Sequence, residues 1–215
     1  METPVNSNLG NGTETGRGLH HPRGLFCSAM AQLEQNIFLI GPMGSGKTSI
    51  GRVLAKELGL EFCDCDQELE RQTGASVNLI FDVEGEAGFR ERETQLLEKL
   101  VRGRGLLVAT GGGVVMRAVN RKLLREGGLV VWLKTSVDQQ LTRLSHDKTR
   151  PLLQAPDRRA RLRQLARERD PLYQSIADIE FTSPDRHFKQ AAHALLRKIQ
   201  DFQNAPTQAS ADAKR

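Results

Sequence analysis

The chain has 215 residues, of which 38% are hydrophobic and 27% are charged, and its net charge is +5. That length allows one domain or a small pair of domains. No apolar run approaches the roughly 20 residues of a membrane-spanning helix, and the N-terminal stretch lacks the apolar segment of a signal peptide. We therefore expect no membrane partner. Three cysteines do not make a disulfide framework, so we expect a reducing, cytoplasmic setting.

The positive charge is concentrated in one part of the chain. Most of the excess arginine lies between residues 143 and 169. A basic segment is compatible with nucleic acid, but also with a nucleotide and an anionic substrate. Because the aromatic residues of a single-strand binding surface are missing there, we expect small anionic substrates and no nucleic acid.

The order of polar and apolar segments predicts a single α/β domain. Polar residues without periodicity predict a disordered extension at 1–30 and a disordered tail at 204–215, which leaves a domain at 31–203. Within it, apolar strands alternate with helices, as in a parallel sheet covered by helices on both faces. Strands are predicted at 36–40, 61–65, 105–109, 129–133 and 178–182. Helices are predicted at 47–58, 66–72, 76–82, 86–102, 117–126, 136–145, 157–168 and 185–202.

The first strand leads into the sequence GPMGSGKT at residues 41–48, which we call the P-loop. It fits the pattern G-x-x-x-x-G-K-[ST] in its required context, between a strand and a helix. In this pattern backbone N–H groups surround a phosphate chain, Lys47 reaches the β- and γ-phosphates, and the Thr48 hydroxyl can ligate Mg²⁺. The motif therefore predicts ATP·Mg²⁺ binding, by Gly44, Ser45, Gly46, Lys47, Thr48 and Ser49.

Two carboxylates follow the second predicted strand. If the strand runs through Cys65, its alternation puts Asp64 and Asp66 on the same side, facing the nucleotide. Asp64 would hold a Mg²⁺-bound water, and Asp66 would contact the acceptor hydroxyl as a base or as an orienting group. The alternative is that one of the two caps the next helix. Cys63 and Cys65 are better interpreted as buried apolar residues than as metal ligands.

Two further segments suggest an anionic acceptor. Arg90 and Glu93 are three residues apart on a helix and share a face. They form either a solvated surface pair or a fork that Glu93 orients toward a substrate carboxylate, and spacing alone does not decide. Gly111, Gly112 and Gly113 follow the third strand, and they indicate a backbone that approaches a ligand or turns sharply, with a plain flexible loop as the alternative.

Arginines also occur before and after the predicted helix at 157–168. The polar stretch 146–157 has the length of a mobile lid, and Arg150 within it could close over the phosphates during catalysis. Arg169, farther along, offers a second cation for the acceptor. Most of the other arginines near it are better interpreted as a solvated helix face.

Taken in order, these segments resemble one family, shikimate kinase, a small P-loop kinase of the nucleoside-monophosphate-kinase type. The resemblance extends from about residue 36 to about residue 200. It is carried by the P-loop, by Asp64-x-Asp66, by Phe89-Arg90 with Glu93, by the three glycines, by Arg150-Pro151-Leu152-Leu153 and by Arg169-x-Pro171-Leu172-Tyr173.

The resemblance implies a three-layer fold with a five-stranded parallel sheet of order 2-3-1-4-5. It implies a monomer that transfers the γ-phosphate of ATP to the 3-hydroxyl of shikimate, a step of aromatic amino-acid biosynthesis. It further implies that Asp66 contacts the acceptor hydroxyls, and that Arg90, Arg169 and the backbone of the three glycines bind the shikimate carboxylate. The nucleotide side would comprise Thr48 on Mg²⁺, Asp64 near the metal, Arg150 on ATP and Arg143 near the adenine.

Two alternatives remain at this level. The first is a kinase for another small acceptor, such as gluconate or a nucleoside monophosphate. The second is a nucleotide-dependent regulatory module that uses its arginine-rich helix on nucleic acid, and it predicts steeply salt-dependent binding.

Overall fold

The computed structural model describes residues 35–145, 157–182 and 187–205. The predicted extension at 1–30, nearly all of the predicted lid including Arg150, and residues 206–215 of the predicted tail lie outside the described residues.

Five strands form one parallel sheet in the order β2-β3-β1-β4-β5, which is the order that the resemblance implies. Every strand lies where the sequence predicts it, with ends that differ by at most one residue. The strands are β1 (Asn36–Ile40), β2 (Glu61–Asp64), β3 (Leu106–Ala109), β4 (Gly128–Lys134) and β5 (Ile179–Thr182).

Helices cover both faces of the sheet. None of those in the described residues combines the length and the apolar character needed to cross a bilayer. They are α1 (Lys47–Leu58), α2 (Cys65–Thr73), α3 (Val77–Leu100), α4 (Ala118–Gly127), α5 (Val137–Arg143), α6 (Arg158–Gln174) and α7 (Phe188–Asn204), with a short 3₁₀ helix, η1, at Val114–Met116.

The central strand shows why the sheet is continuously apolar. Phe38 and Ile40 point into a core formed with α2, α3, α4 and α6, whereas Ile37 and Leu39 point into a second core formed with α1 and α7. All four side chains are fully buried. A parallel strand between two helical layers has no solvent face, so alternation of apolar and polar residues is absent.

Helix α3 contains a break at the place where the sequence separates two helices. Gly85 has φ 70° and ψ −178°, outside the helical region, and divides the element into a shorter and a longer part. The Arg92–Glu84 ion pair, with N and O 2.6 Å apart, spans the break. The two predicted helices are therefore the two parts of α3.

The prediction that the helix at 157–168, which is α6 of the structure, ends at 168 is wrong. The helix runs through Pro171 to Gln174. Its buried residues Leu162, Leu165, Arg169 and Tyr173 follow helical spacing, and Tyr173 is fully buried. Burial along this face outweighs the hydrogen bond that proline removes. Helix α7 likewise extends one residue into the predicted tail, to Asn204.

Candidate active site

The P-loop lies between β1 and α1, and its glycines have conformations that other residues rarely adopt. Gly41, Gly44 and Gly46 have φ values of 138°, 74° and 91°. Lys47 Nζ donates to the carbonyl oxygens of Gly41 at 2.8 Å and Pro42 at 2.9 Å. The loop is thus wrapped around the lysine at the N-terminus of α1, an arrangement suited to an anion.

Thr48 connects the P-loop to the end of β2. Its Oγ1 donates to Oδ2 of Asp64 at 2.7 Å, while Oδ1 of Asp64 accepts from the backbone N–H of Asp66 at 3.1 Å and Gln67 at 3.4 Å. Asp64 is therefore the N-cap of α2. One carboxylate oxygen of Asp64 caps the N-terminus of α2, and the other accepts a hydrogen bond from Thr48 of the P-loop.

This cap corrects the sequence argument about the two aspartates. The strand ends at Asp64, and Cys65 is the first residue of α2, so strand alternation does not align the carboxylates. Asp66 instead lies in the first helical turn, half-buried, and lines the pocket described below. Cys65 is buried in the core and Cys63 packs against that core, which confirms their interpretation as apolar residues.

Arg90 and Glu93 form a buried pair. Arg90 Nη1 lies 2.8 Å from Glu93 Oε2, and the side chains are only 12% and 2% exposed. A second, weaker contact joins Arg90 to Glu86 at 3.3 Å, on the solvent side. This burial excludes the solvated surface pair, and the fork toward a substrate carboxylate stays a prediction.

The carboxylate of Glu93 is buried, and burial disfavours its charged form. Burial raises the pKa of Glu93 above its ordinary value, although the neighbouring Arg90 guanidinium acts in the opposite direction. Its Oε1 has no hydrogen-bond partner among the described residues. The pair therefore holds one acceptor oxygen beside the pocket without satisfying it internally.

The three glycines provide space for these charged groups. A Cβ on Gly111 would lie 2.5 Å from Oε1 of Glu93 and 3.3 Å from Oδ1 of Asp66. A Cβ on Gly113 would overlap the Arg90 guanidinium. The glycines are thus needed because side chains from α2 and α3 occupy the volume that a Cβ would take.

The Gly112 carbonyl faces helix α6. Arg169 Nη1 donates to it at 3.3 Å, and the Tyr173 hydroxyl donates to the same oxygen. Arg169 is 7% exposed, and its Nε has no partner among the described residues. Burial raises the pKa of Tyr173, so this hydroxyl remains a donor.

These elements line one open cavity of about 550 Å³, which we call the arginine pocket. The guanidinium groups of Arg90 and Arg169 and the carboxylate of Asp66 meet there, and Met43 joins it to the P-loop. The walls are otherwise apolar or polar side chains of α2 and α3, namely Glu70, Ser76, Val77, Asn78, Phe81, Glu86 and Phe89, together with the three glycines.

Several lining residues were not found by sequence reasoning. Met43 occupies a variable position of the P-loop motif, and Glu70, Val77, Asn78 and Phe81 belong to no chemical motif. The stacked rings of Phe81 and Phe89, with centroids 4.5 Å apart, show that the short part of α3 folds over the pocket. The helix start at Ser76 is the one signal in the sequence that bears on this part of the wall.

The remaining predicted nucleotide contacts lie around the P-loop. Arg143 Nη1 donates to the Gly44 carbonyl at 3.0 Å, so α5 touches the loop directly. Ser45 is fully buried beneath the loop, and Ser49 is exposed on the first turn of α1. Arg150 lies outside the described residues.

Two relatives and one solved structure that are similar to this chain are shikimate kinases. A shikimate kinase from Pseudomonas paraeruginosa is 50% identical over 164 residues, which cover 76% of this chain and 95% of the relative. One from Buchnera aphidicola is 45% identical over 168 residues, or 78% of this chain and 97% of the relative. The structure of the Acinetobacter baumannii shikimate kinase in complex with shikimate matches with a TM-score of 0.78 and 44% identity, over 81% of this chain and 97% of that one.

The same family matches at the level of a family model. The model for shikimate kinase aligns with residues 43–200, a range that includes most of the P-loop, Asp66, Arg90, the three glycines and Arg169. Since most of the chain is covered by this model and by relatives at about half identity, the chain belongs to the shikimate kinase family.

Proposed function

We propose that the P-loop and the arginine pocket hold the two substrates of one phosphoryl transfer, with ATP on the loop and shikimate in the pocket. As a member of its family, the chain phosphorylates the 3-hydroxyl of shikimate and releases ADP and shikimate 3-phosphate, a step of aromatic amino-acid biosynthesis. The roles of individual residues, given below, are our proposal.

The convergence of Arg90 and Arg169 on one open cavity is the observation that carries the proposal. Both guanidinium groups are largely buried, and both lie beside the backbone of the three glycines. Arginine suits a planar carboxylate because its donors form a matching fork. We infer that the two arginines hold the carboxylate of shikimate, and that Glu93 fixes the orientation of Arg90.

Asp66 is the proposed partner of the acceptor hydroxyl. It lines the arginine pocket on the side of β2, where Asp64 and Thr48 connect that strand to the P-loop. A carboxylate there can orient the hydroxyl or accept its proton during transfer. A loose phosphoryl transition state demands little of a base, so positioning and charge supply most of the catalysis.

The proposed contacts with ATP begin with the P-loop. Its backbone N–H groups and Lys47 would hold the phosphates, together with Ser45 in the loop and Ser49 in the first turn of α1. Arg143 would lie near the adenine, and Arg150 would reach the phosphates from the segment 146–157 when that lid closes. Closure would exclude water and so limit hydrolysis of ATP.

We also propose Mg²⁺ as the metal that accompanies ATP. Mg²⁺ prefers oxygen ligands and is commonly bound by one or two protein groups together with substrate phosphates. The Thr48 hydroxyl and the Asp64 carboxylate, 2.7 Å apart at the N-terminus of α1, fit that requirement. Thr48 would bind the ion directly and Asp64 through water, and the bound ion would neutralise charge on the phosphates.

The experiment that tests these roles is coupled ADP release with MgATP and a panel of acceptors. Shikimate should support strong turnover, whereas gluconate and CMP should not. Stimulation by gluconate or CMP instead would mean that the arginine pocket does not select a shikimate carboxylate.

Filter binding to DNA or RNA at two salt concentrations tests the regulatory alternative. Sedimentation of the same sample tests the proposed monomer, and fractionation of cells tests the cytoplasmic location.

A further inference from the structure

Arg117 makes an unusual set of contacts at the edge of the arginine pocket. It stands between η1 and α4, four residues after Gly113. Its Nη1 donates to the Arg90 carbonyl at 3.0 Å and to Thr94 Oγ1 at 2.7 Å, and lies 3.0 Å from Glu91 Oε2. One guanidinium therefore joins the loop after β3 to the helix that carries Arg90.

The inner part of this contact is well protected from water. Thr94 is 5% exposed, and its own hydroxyl donates to the Arg90 carbonyl at 2.9 Å. That carbonyl thus accepts from two side chains, Arg117 and Thr94, which fixes the backbone of α3 at Arg90. The outer part, the ion pair with Glu91, has side chains 37% and 55% exposed, where such pairs contribute little.

The segment that carries Arg117 is itself firmly anchored. Asn120 donates to the Val114 carbonyl at 3.1 Å, and Arg121 donates to the Val115 carbonyl at 2.6 Å. At the start of this segment, Gly113 lies against the Arg90 guanidinium. Gly113 therefore contacts the side-chain end of Arg90, while Arg117 holds its backbone end.

We propose that Arg117 is a positioning residue for the carboxylate clamp and acts on shikimate through Arg90. This inference rests on the proposed function, in which Arg90 binds the shikimate carboxylate. Without Arg117, the Arg90 carbonyl loses one of the two side-chain hydrogen bonds that it accepts. The position of the Arg90 guanidinium in the arginine pocket then becomes less well defined. A displaced clamp weakens acceptor binding and leaves the nucleotide side unchanged.

The test compares Arg117→Met, which retains the apolar stem, with Arg117→Lys and with Glu91→Gln as the matched control. For Arg117→Met we expect the KM for shikimate to rise about three- to tenfold, the effect of losing one or two buried hydrogen bonds. The KM for ATP and the kcat at saturating shikimate should stay within about twofold. Arg117→Lys should restore part of the loss, and Glu91→Gln should resemble the parent.

A double variant separates a positioning role from a general loss of structure. If Arg117 acts through Arg90, adding Arg117→Met to Arg90→Ala should raise the KM for shikimate no further. Additive effects, or an equal fall in all kinetic parameters together with the melting temperature, would overturn the proposal. Thr94→Val, which removes the second restraint, should shift the same KM in the same direction if the parent's fold is kept.

Failure of the inference is distinguishable from failure of the proposed function. If Arg90→Ala leaves the KM for shikimate unchanged, Arg90 does not bind the carboxylate, and both ideas are wrong. If Arg90→Ala raises that KM and Arg117→Met does not, the clamp stands and only the positioning role is lost.

Discussion

The P-loop and the arginine pocket lie side by side but are built in different ways. The P-loop is one continuous segment whose shape comes from backbone conformations that glycine permits, with φ of 74° at Gly44. The arginine pocket is assembled from α2, α3, α6 and the segment after β3, and it depends on buried charged side chains. Its glycine at 113 has an ordinary φ of −102°.

The difference shows that glycine has two separate roles in one active site. In the P-loop, glycine supplies a backbone conformation, so the sequence motif contains nearly all of the information. In the pocket, Gly111 and Gly113 supply space for Glu93 and Arg90, which are some 20 residues away in the chain. That role is visible only once α3 is packed against β3.

The largest effect is expected at the P-loop. Lys47→Met should lower kcat by about 10²–10³-fold, because it removes a cation from the phosphoryl group where negative charge develops. The fold should remain, since the loop glycines are unchanged. Steady-state kinetics with a melting curve measures both, and Lys56→Met, in the last turn of α1, is the matched control. A Lys47 variant with near-parental kcat would contradict the assignment.

The second-largest effect is expected at Asp66, which lines the arginine pocket on the side of the P-loop. Asp66→Asn should lower kcat by about 10²-fold, the lower part of the range for general acid–base groups, and should change ATP affinity far less. Pre-steady-state and equilibrium ATP binding should be compared with kcat. Glu68→Gln is the control, because it lies on the same helix and pairs with Arg71 at the surface. Near-normal turnover in Asp66→Asn would remove Asp66 from the catalytic residues.

A pair of glycine variants tests whether the P-loop and the arginine pocket bind different substrates independently. Gly44→Ala should raise the KM for ATP about tenfold, since alanine is strained at φ 74°, and should leave the KM for shikimate unaltered. Gly113→Ala should do the reverse to a similar extent, because its Cβ displaces Arg90. If both variants changed the same KM, the two regions would not be separable in the way that their structures suggest.

The sequence predicts the P-loop side almost completely. Strand β1 and helix α1 begin and end at the predicted residues, because the motif and the apolar run are local signals. The order of the strands came only from the family resemblance, since strand periodicity does not say which strands are neighbours.

The break at Gly85 was also predicted, because residues 83–85 separate the two predicted helices.

Prediction was weaker where tertiary packing decides the outcome. The 61–65 strand was one residue too long, because Asp64 caps α2 and so ends the strand there. The spacing of Arg90 and Glu93 could not by itself distinguish a surface pair from a buried one, because residues three apart share a helix face whether that face is solvated or buried. Arg117 carries no motif at all, and its contacts depend on the packing of η1 against α3.

The smallest effect concerns the stability of the arginine pocket and its dependence on pH. The ordinary pKa of Glu93 is 4.5, and burial raises it in the folded protein. Between these two values the folded chain holds a proton that the unfolded chain has released. The contribution of Glu93 to the free energy of unfolding should therefore fall as pH rises from the ordinary pKa through the raised one, and should then level off.

Glu93→Gln removes this titration and should make the same region of the stability profile flatter than in the parent. The neutral glutamine also leaves Arg90 without its buried counter-charge, but that cost is nearly constant with pH, so only the slope is diagnostic. Urea unfolding from about pH 4 to about pH 8 measures the slope, and Glu91→Gln, on the exposed side of α3, is the control. Parallel profiles for the parent and Glu93→Gln would show that the buried carboxylate does not titrate in this range. The attraction of the Arg90 guanidinium would then outweigh the effect of burial on the pKa of Glu93.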